Sequence, residues 1–469
     1  MVLRSSTNSE MASVTDAAWP TGDSHRVTAE KTSGTRWIWP IAVLALCHAQ
    51  AIASFQILNI LIDPIKTSLI ISDTEFSLLQ GLAVAIFAAL LGIPAARWAD
   101  RRSRRNVILV GACGWSLATL GCAFVTDFGQ LFTARIFMGV GEVFLFPAAL
   151  SLIADLVPRE RLSSAVAAFG SGGPVGAAAA LFGGSWILPH RADLVSRLPA
   201  LSRFEGWQVA FLLCGLTGLV TAALLLTVQE PPHRHRQIAA DSSFGAIRDW
   251  VVAHWRGYAS VSGAMLCLAL CAFATAAWGP TVLTRAHGVP LQVAGRLTAG
   301  AALIGGVLLA YPCGLWVDSL HRAGRSDGVL LVSTLLAVGL ASLAGLAVTA
   351  TAPGVAAGAW VGLYALLGLP TVLAGTALPM MTPSAMRAQI MALHLLLMNL
   401  LALSLGPFVV AVVTDKVFGR PTAVGDSLAC VDALASGLAA YLLLTGRRAF
   451  KSAESYLGLC NQSDETARM

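Results

Sequence analysis

Two ionisable residues, Arg135 and Glu142, stand inside an otherwise apolar run at about 128–156. An ionised side chain at the centre of a bilayer costs about 2.5–3.5 kcal/mol on insertion scales, so each needs a partner or a function there. They are two helical turns apart on one face, about 10 Å along the axis, too far for a direct pair. Glu142 is suited to taking up a proton or a cationic group, and Arg135 to holding an anionic head group. The structural alternative is that both tie their helix to its neighbours. A second apolar run, at 37–62, carries His48, Gln50, Ser54, Gln56 and Asn59. Gln50 and Ser54 lie one turn apart and share a direction. A polar stripe at membrane depth faces protein or water rather than lipid. His48 titrates near neutral pH and is a candidate proton carrier; a hydrogen bond to a neighbouring helix is the plainer expectation. The run at 387–414 holds His394 and Asn399, again a cavity-facing pair or a packing contact. Trp278, with Trp360 and Tyr364, is suited to an apolar wall for a solute or to an interfacial anchor.

These residues are carried by an apolar chain. Of its 469 residues 56% are hydrophobic and 12% charged, against about 25% charged in soluble domains. The charges cluster, leaving runs near the ~20 residues that a helix needs to cross a bilayer. That composition excludes a soluble enzyme, a disordered protein and a disulfide scaffold. Most of the Cys residues, including Cys113, Cys122, Cys214, Cys267 and Cys271, sit in apolar runs without a CxxC pair, and read as small buried side chains. No metal site or cofactor is expected. GxxxxGK[ST], HExxH and GxSxG are absent, so neither ATP drive nor hydrolytic chemistry is expected in this chain. The net charge of +6 does not point to nucleic acid, because the basic residues lie between apolar runs.

Twelve runs can be marked, at roughly 37–62, 75–97, 106–125, 128–156, 163–187, 207–227, 258–284, 292–316, 328–350, 354–380, 387–414 and 427–445. They are too long for barrel strands and read as helices. With the N-terminus inside, the outer loops hold only Lys66, Arg191, Arg197, Arg203, Arg285, Lys416 and Arg420 of the 31 Lys and Arg. Arg135 and Arg296 fall within spans, and the rest lie inside. This bias predicts cytoplasmic termini in a bacterial cell membrane. Residues 1–36 are polar and read as a disordered cytoplasmic tail, and 446–469 as a C-terminal cytoplasmic tail. The linker 228–257 divides the spans into six-helix bundles at 37–227 and 258–445. A repeat supports the division: Pro94, Trp98 and Asp100 close the second span, and Pro312, Trp316 and Asp318 close the eighth at the same spacing. Parallel six-helix repeats with a site between them are a transporter plan. In the fifth span Gly172 and Gly176 frame Gly173-Pro174, read as close packing and bending.

The run from Gly92 through Asp100, Arg101, Arg104 and Arg105 resembles the signature between helices two and three of the major facilitator superfamily. Other residues resemble its spinster-like branch: Asp63-Pro64-Ile65-Lys66 with Ser72-Asp73-Thr74, Gly139 to Glu142, Trp278-Gly279-Pro280 with Arg285 to Gly288, and Asn399 to Pro407 with Asp415. The resemblance covers about residues 37–445. It implies twelve transmembrane helices in two pseudo-symmetric bundles that rock about a central cavity. It also implies a latch at the cytoplasmic side, with Asp100 at the start of helix eleven and Arg101, Arg104, Arg105 and, in the second half, Asp318 around it. One departure stands out. Where the branch carries an Asp-Arg pair in the first span, this chain has Ser54-Phe55.

The reading is therefore an all-α membrane protein and not an enzyme: a monomeric secondary transporter of an amphipathic, lipid-like or organic anionic solute, in contact with membrane lipids. Glu142 is its candidate for proton coupling. A small organic acid carrier without proton coupling, and a sensor that binds solute without moving it, are the alternatives.

Overall fold

The structure, a computed structural model, describes residues 37–85, 103–158, 161–230, 244–383 and 386–468, a few helical positions such as Glu142 by backbone alone. Among these residues every regular element is helical. The first half comprises α1 (Ile38–Ile60), α2 (Ile62–Leu69), α3 (Asp73–Gln80), α4 (Arg104–Phe124), α5 (Phe128–Val143), α6 (Leu145–Leu156), α7 (Leu162–Ile187) and α8 (Gly206–Thr227). The second comprises α9 (Trp255–Arg285), α10 (Leu291–Arg322), α11 (Gly328–Thr349), α12 (Pro353–Met380), α13 (Gln389–Phe418) and α14 (Pro421–Leu457). Among the described residues, 10 helices are long and apolar enough to cross a membrane. α3 opens the expected second span, and α5 with α6 forms the fourth, bent by a turn at Phe144. The twelve-span reading is met.

Local chemistry sets the element ends. Ser72 and Glu75 form a capping box at the start of α3: Glu75 N–H donates to Ser72 Oγ at 3.1 Å and Ser72 N–H to Glu75 Oε2 at 2.8 Å. This satisfies donors that a helix start leaves open. α2 ends on Ile70, whose φ of 54° is left-handed, a conformation that crowds a β-branched side chain. Gly172 and Gly176 let α7 lie directly on α1, since a Cβ at either would collide with the Ala45 or Ala49 backbone.

α2, the 286–290 turn and the 188–205 segment share one face, called the α2 face below. Ser103, Glu230 and the 323–327 turn share the opposite face. The halves meet through α7 against α10, α3 against α13 and α1 against α9. Gly81 sits hard against Leu403 in one of these contacts, and Gly306 against Pro174 in another. α13 and α10 each widen into a π-helical turn at those places, Met398–Leu403 and Ile304–Leu309; such turns shift side-chain register and recur at functional sites. Toward the α2 face the two halves share a single apolar core, running from Leu58, Ile65 and Phe76 to Trp278 and Val282. Toward the opposite face the first half keeps a separate core around Leu44, Trp115, Leu152 and Phe169.

Candidate functional site

The halves are bolted together at the α2 face by charged residues. Arg285, the last residue of α9, donates from Nε to Asp63 Oδ1 at 2.8 Å, and from Nη1 and Nη2 to the two carboxylate oxygens of Asp73 at 2.8 and 3.1 Å. A planar guanidinium suits this forked grip on Asp73. Lys66 binds Asp73 from within the first half. The Asp73 side chain is fully buried, that of Asp63 half exposed. Burial pushes the Asp73 carboxyl up, but the hydrogen bonds and charges of Arg285 and Lys66 outweigh it and hold it below its ordinary value. Beside this cluster Asp415 of α13 accepts from Thr74 N–H at 2.8 Å and Thr74 Oγ1 at 2.6 Å. A carboxylate from the second half thus sits on the positive end of the α3 dipole. A recess of about 810 Å³ opens next to this charged cluster, lined among others by Asp63, Thr67, Glu205, Trp207 and Thr284.

A second layer lies beneath the charges. Asn59 Nδ2 donates to the Ala276 carbonyl across the halves at 3.1 Å, and Gln80 Nε2 donates to Asn59 Oδ1 at 3.2 Å. Gln56 also meets Asn59. Trp278 is fully buried and donates from Nε1 to the Pro407 carbonyl at 3.0 Å, pinning α9 to α13 with Phe76 of α3 nearby. In this conformation Trp278 seals the contact between the halves and presents no surface to a solute. These two layers join the halves toward the α2 face.

The mid-span residues are packed in the first half. Arg135 is fully buried; its Nε donates to the Leu79 carbonyl at 3.2 Å and Nη1 to the Ser54 carbonyl at 3.3 Å, with the guanidinium 5.3 Å from the Phe55 ring centre. Arg135 therefore joins α5 to α1 and α3, directly under the charged cluster. The Glu142 side chain lies outside the described residues. Gln50 and Ser54 do share a direction, toward α8: Gln50 Nε2 donates to the Cys214 carbonyl at 2.7 Å, and Ser54 Oγ lies 3.7 Å from Cys214 Sγ. His48 stacks on Phe169, its Nδ1 3.0 Å from the Phe169 carbonyl, so the plainer expectation describes its contacts. His394 is 4% exposed, and among the described residues neither ring nitrogen has a hydrogen-bond partner. Asn399 falls in the α13 π-turn and is partly buried.

At the opposite face Gly92, Asp100 and Arg101 lie outside the described residues. Arg104 and Arg105 engage residues of the first half in this conformation. Glu230, just past α8, accepts from Arg104 N–H at 2.8 Å and Arg105 N–H at 3.3 Å and also meets Ser103, capping α4. Arg104 reaches Glu230 again through Nε at 3.1 Å and binds Asp155 of α6. The physical reason is proximity: the start of α4 and the ends of α6 and α8 converge there. The second half repeats the arrangement with charges reversed. Asp327, at the start of α11, is buried and bound by Arg447 and by Lys451 Nζ at 3.3 Å, both from the long last helix. Asp318 is exposed, and among the described residues it forms no ion pair. Glu230, Asp155, Asp327, Arg447, Lys451 and Gln80 were not legible as partners, because no spacing in the chain links them. Asp63, Lys66, Asp73, Thr74, Arg285 and Asp415 fall in the segments that carry the family resemblance, but nothing in the chain said that they meet.

Six-helix halves, helix-end charge clusters at matching positions and polar contacts that join the halves define a two-bundle membrane protein. The sequence profile of the Major Facilitator Superfamily matches residues 44–452, and the chain belongs to that superfamily. It is 27% identical over 292 residues to a gallate transporter of Pseudomonas putida, covering 54% of this chain and 63% of that protein. It is 26% identical over 247 residues to the protein spinster of Drosophila melanogaster, covering 51% and 38%. The chain thus spans less than two thirds of the curated relatives it matches. In structure it resembles a bacterial homolog of the human lysosomal transporter Spinster in an inward-facing, unoccupied conformation, with a TM-score of 0.70, 21% identity, and coverage of 88% of this chain and 96% of that one. The expected superfamily and the likeness to its spinster-like branch are both met.

Proposed function

We propose that this protein is a secondary active transporter working by alternating access, held here with its α2 face closed. The observation that carries this reading is the gate: Arg285 and Asp415 of one half grip Asp63, Asp73 and Thr74 of the other, at the face where the apolar cores have merged. Polar bonds across the halves at a face are what a rocking pair of bundles needs, because they break as the bundles tilt the other way. The cargo we assign is an amphipathic lipid-like or organic anionic solute. Arg135, directly beneath the gate, is the cation for it once tilting uncovers the guanidinium. A small organic acid is the second reading, favoured by similarity to proteins named for gallate and D-galactonate transport. Glu142 is the coupling carboxyl in this proposal, since Ser54 stands where the spinster-like branch has an acid. The units 37–227 and 258–445 are the moving bodies, and 228–257 the connection. The orientation proposed puts both termini in the cytoplasm of a bacterial cell, with the protein acting as a monomer.

Reconstituted protein is tested for counterflow of labelled gallate, D-galactonate and a lysophospholipid. Exchange of one of them, weakened in Arg135→Ala and no longer driven by a pH gradient in Glu142→Gln, supports the reading. Full affinity for an anionic solute in Arg135→Ala removes Arg135 from its recognition. Transport unchanged at every pH in Glu142→Gln removes Glu142 from coupling. Absence of exchange, with tight binding of the same solutes, favours a sensor.

A further inference from the structure

The second half holds an acid that the gate does not use. Asp432 lies in α14, 11 residues past Pro421, or about 16 Å along the helix at 1.5 Å per residue. That is near the middle of a hydrocarbon core ~30 Å thick. Its side chain is fully buried. Thr275 Oγ1 of α9 donates to Asp432 Oδ2 at 2.9 Å, while Asp432 Oδ1 has no hydrogen-bond partner. No Lys, Arg or His pairs with it among the described residues. The titratable and charged groups on the elements packed against it are few. α9 carries Cys267 and Cys271 near it, with Arg256 and Tyr258 at one end and Arg285 at the other. α11 has only Asp327 at its start, and α13 carries His394, with Asp415 and Lys416 at its end. Asp426 and Cys430 share its own helix, both toward the α2 face, and Tyr441, Arg447, Arg448, Lys451, Glu454 and Tyr456 follow toward the other end. A carboxylate without a cation does not survive in such surroundings, so the neutral, proton-bearing form is the one that fits this conformation.

The place on α9 that it bonds matters as much as its burial. Thr275 immediately precedes Ala276, whose carbonyl receives Asn59 from the first half. Three residues on is Trp278, and ten residues on is the gate residue Arg285. We infer that Asp432 is a proton-binding site of the second half, loaded while the α2 face is closed and emptied when α9 swings and admits water. The step is simple proton exchange: water delivers H⁺ to Asp432 and takes it back, and no other bond is made or broken. This rests on the alternating-access reading only for the movement of α9, and it adds a second carboxyl to the one assigned above.

The test needs no cargo. Nitroxide labels at Thr67 and Val417, in protein with Cys430 replaced by Ser, report opening of the α2 face while pH is stepped between about 5 and 9, a range spanning ordinary and burial-shifted carboxyls. The native protein is expected to open as pH rises. Asp432→Asn keeps the size of the side chain and is expected to stay closed throughout. Thr275→Val is expected to move the midpoint of the native response. Infrared difference spectra should show the loss of one protonated-carboxyl band in Asp432→Asn. Opening in Asp432→Asn with the native pH dependence, or a native protein indifferent to pH, overturns the inference. Failure of solute exchange in vesicles would strike the transporter reading alone, because the label response is measured without solute.

Discussion

Replacing Arg285 with Ala should release the α2 face. The side chain makes four charge-assisted hydrogen bonds to carboxylates of the other half, two of them to buried Asp73. When the face opens, Asp73 keeps Lys66 but loses Arg285, so the Arg285 contacts favour only the closed form. A hydrogen bond to a charged group contributes about 1.5–3 kcal/mol net. Counting the buried fork as one such interaction, and the half-exposed Asp63 contact as near zero because solvent screens it, the substitution should move the closed-to-open ratio by roughly 10- to 150-fold. Arg285→Lys keeps the charge without the fork and should fall between the two. Asp63→Ala should change the ratio several-fold at most. Distances between nitroxides at Thr67 and Val417 read these populations directly. An Arg285→Ala protein as closed as the native one would refute the assignment of this cluster as a gate and place closure on apolar packing alone.

Acid should open the same gate. The Asp73 carboxyl is held below its ordinary value, so its contribution is complete at neutral pH and is lost only as pH falls through that lowered value, below the usual carboxylate range near about 4; the Asp73→Asn protein should lose this acid dependence in the same label assay. Glu230→Ala removes the cap of α4 and a partner of Arg104, and should lower stability by about 1–2 kcal/mol, read as an earlier thermal transition. Ile70→Gly relieves a left-handed β-branched residue at φ 54° and should raise stability by about 1 kcal/mol; a lower melting temperature would show that the exposed side chain has a contact of its own. Gly81→Val would drive a side chain into the Leu403 backbone and should favour the form in which α3 and α13 part.

Much of the architecture was legible from the chain because membrane insertion writes it locally. A span must be apolar for about 20 residues, and its flanking charges report orientation. The runs are therefore readable in order. Packing at Gly172 and Gly176 is likewise a local property of small residues. The stripe at Gln50 and Ser54 was legible as a direction but not as a destination, since only the fold brings Cys214 beside it. Arg104 and Arg105 show the same limit. Their clustering is plain, but their partner Glu230 is 125 or more residues away.

The sequence by itself determined that this is a twelve-span, two-bundle membrane protein with rare ionisable groups at depth, because hydrophobicity and charge are summed residue by residue. Tertiary structure alone decided which of those groups meet. Arg285 reaches Asp63 and Asp73 across more than 200 residues of chain, and Asp432 reaches Thr275 across 157. Pair energies depend on distances of a few ångströms and on the removal of water, and neither quantity exists until the helices have packed.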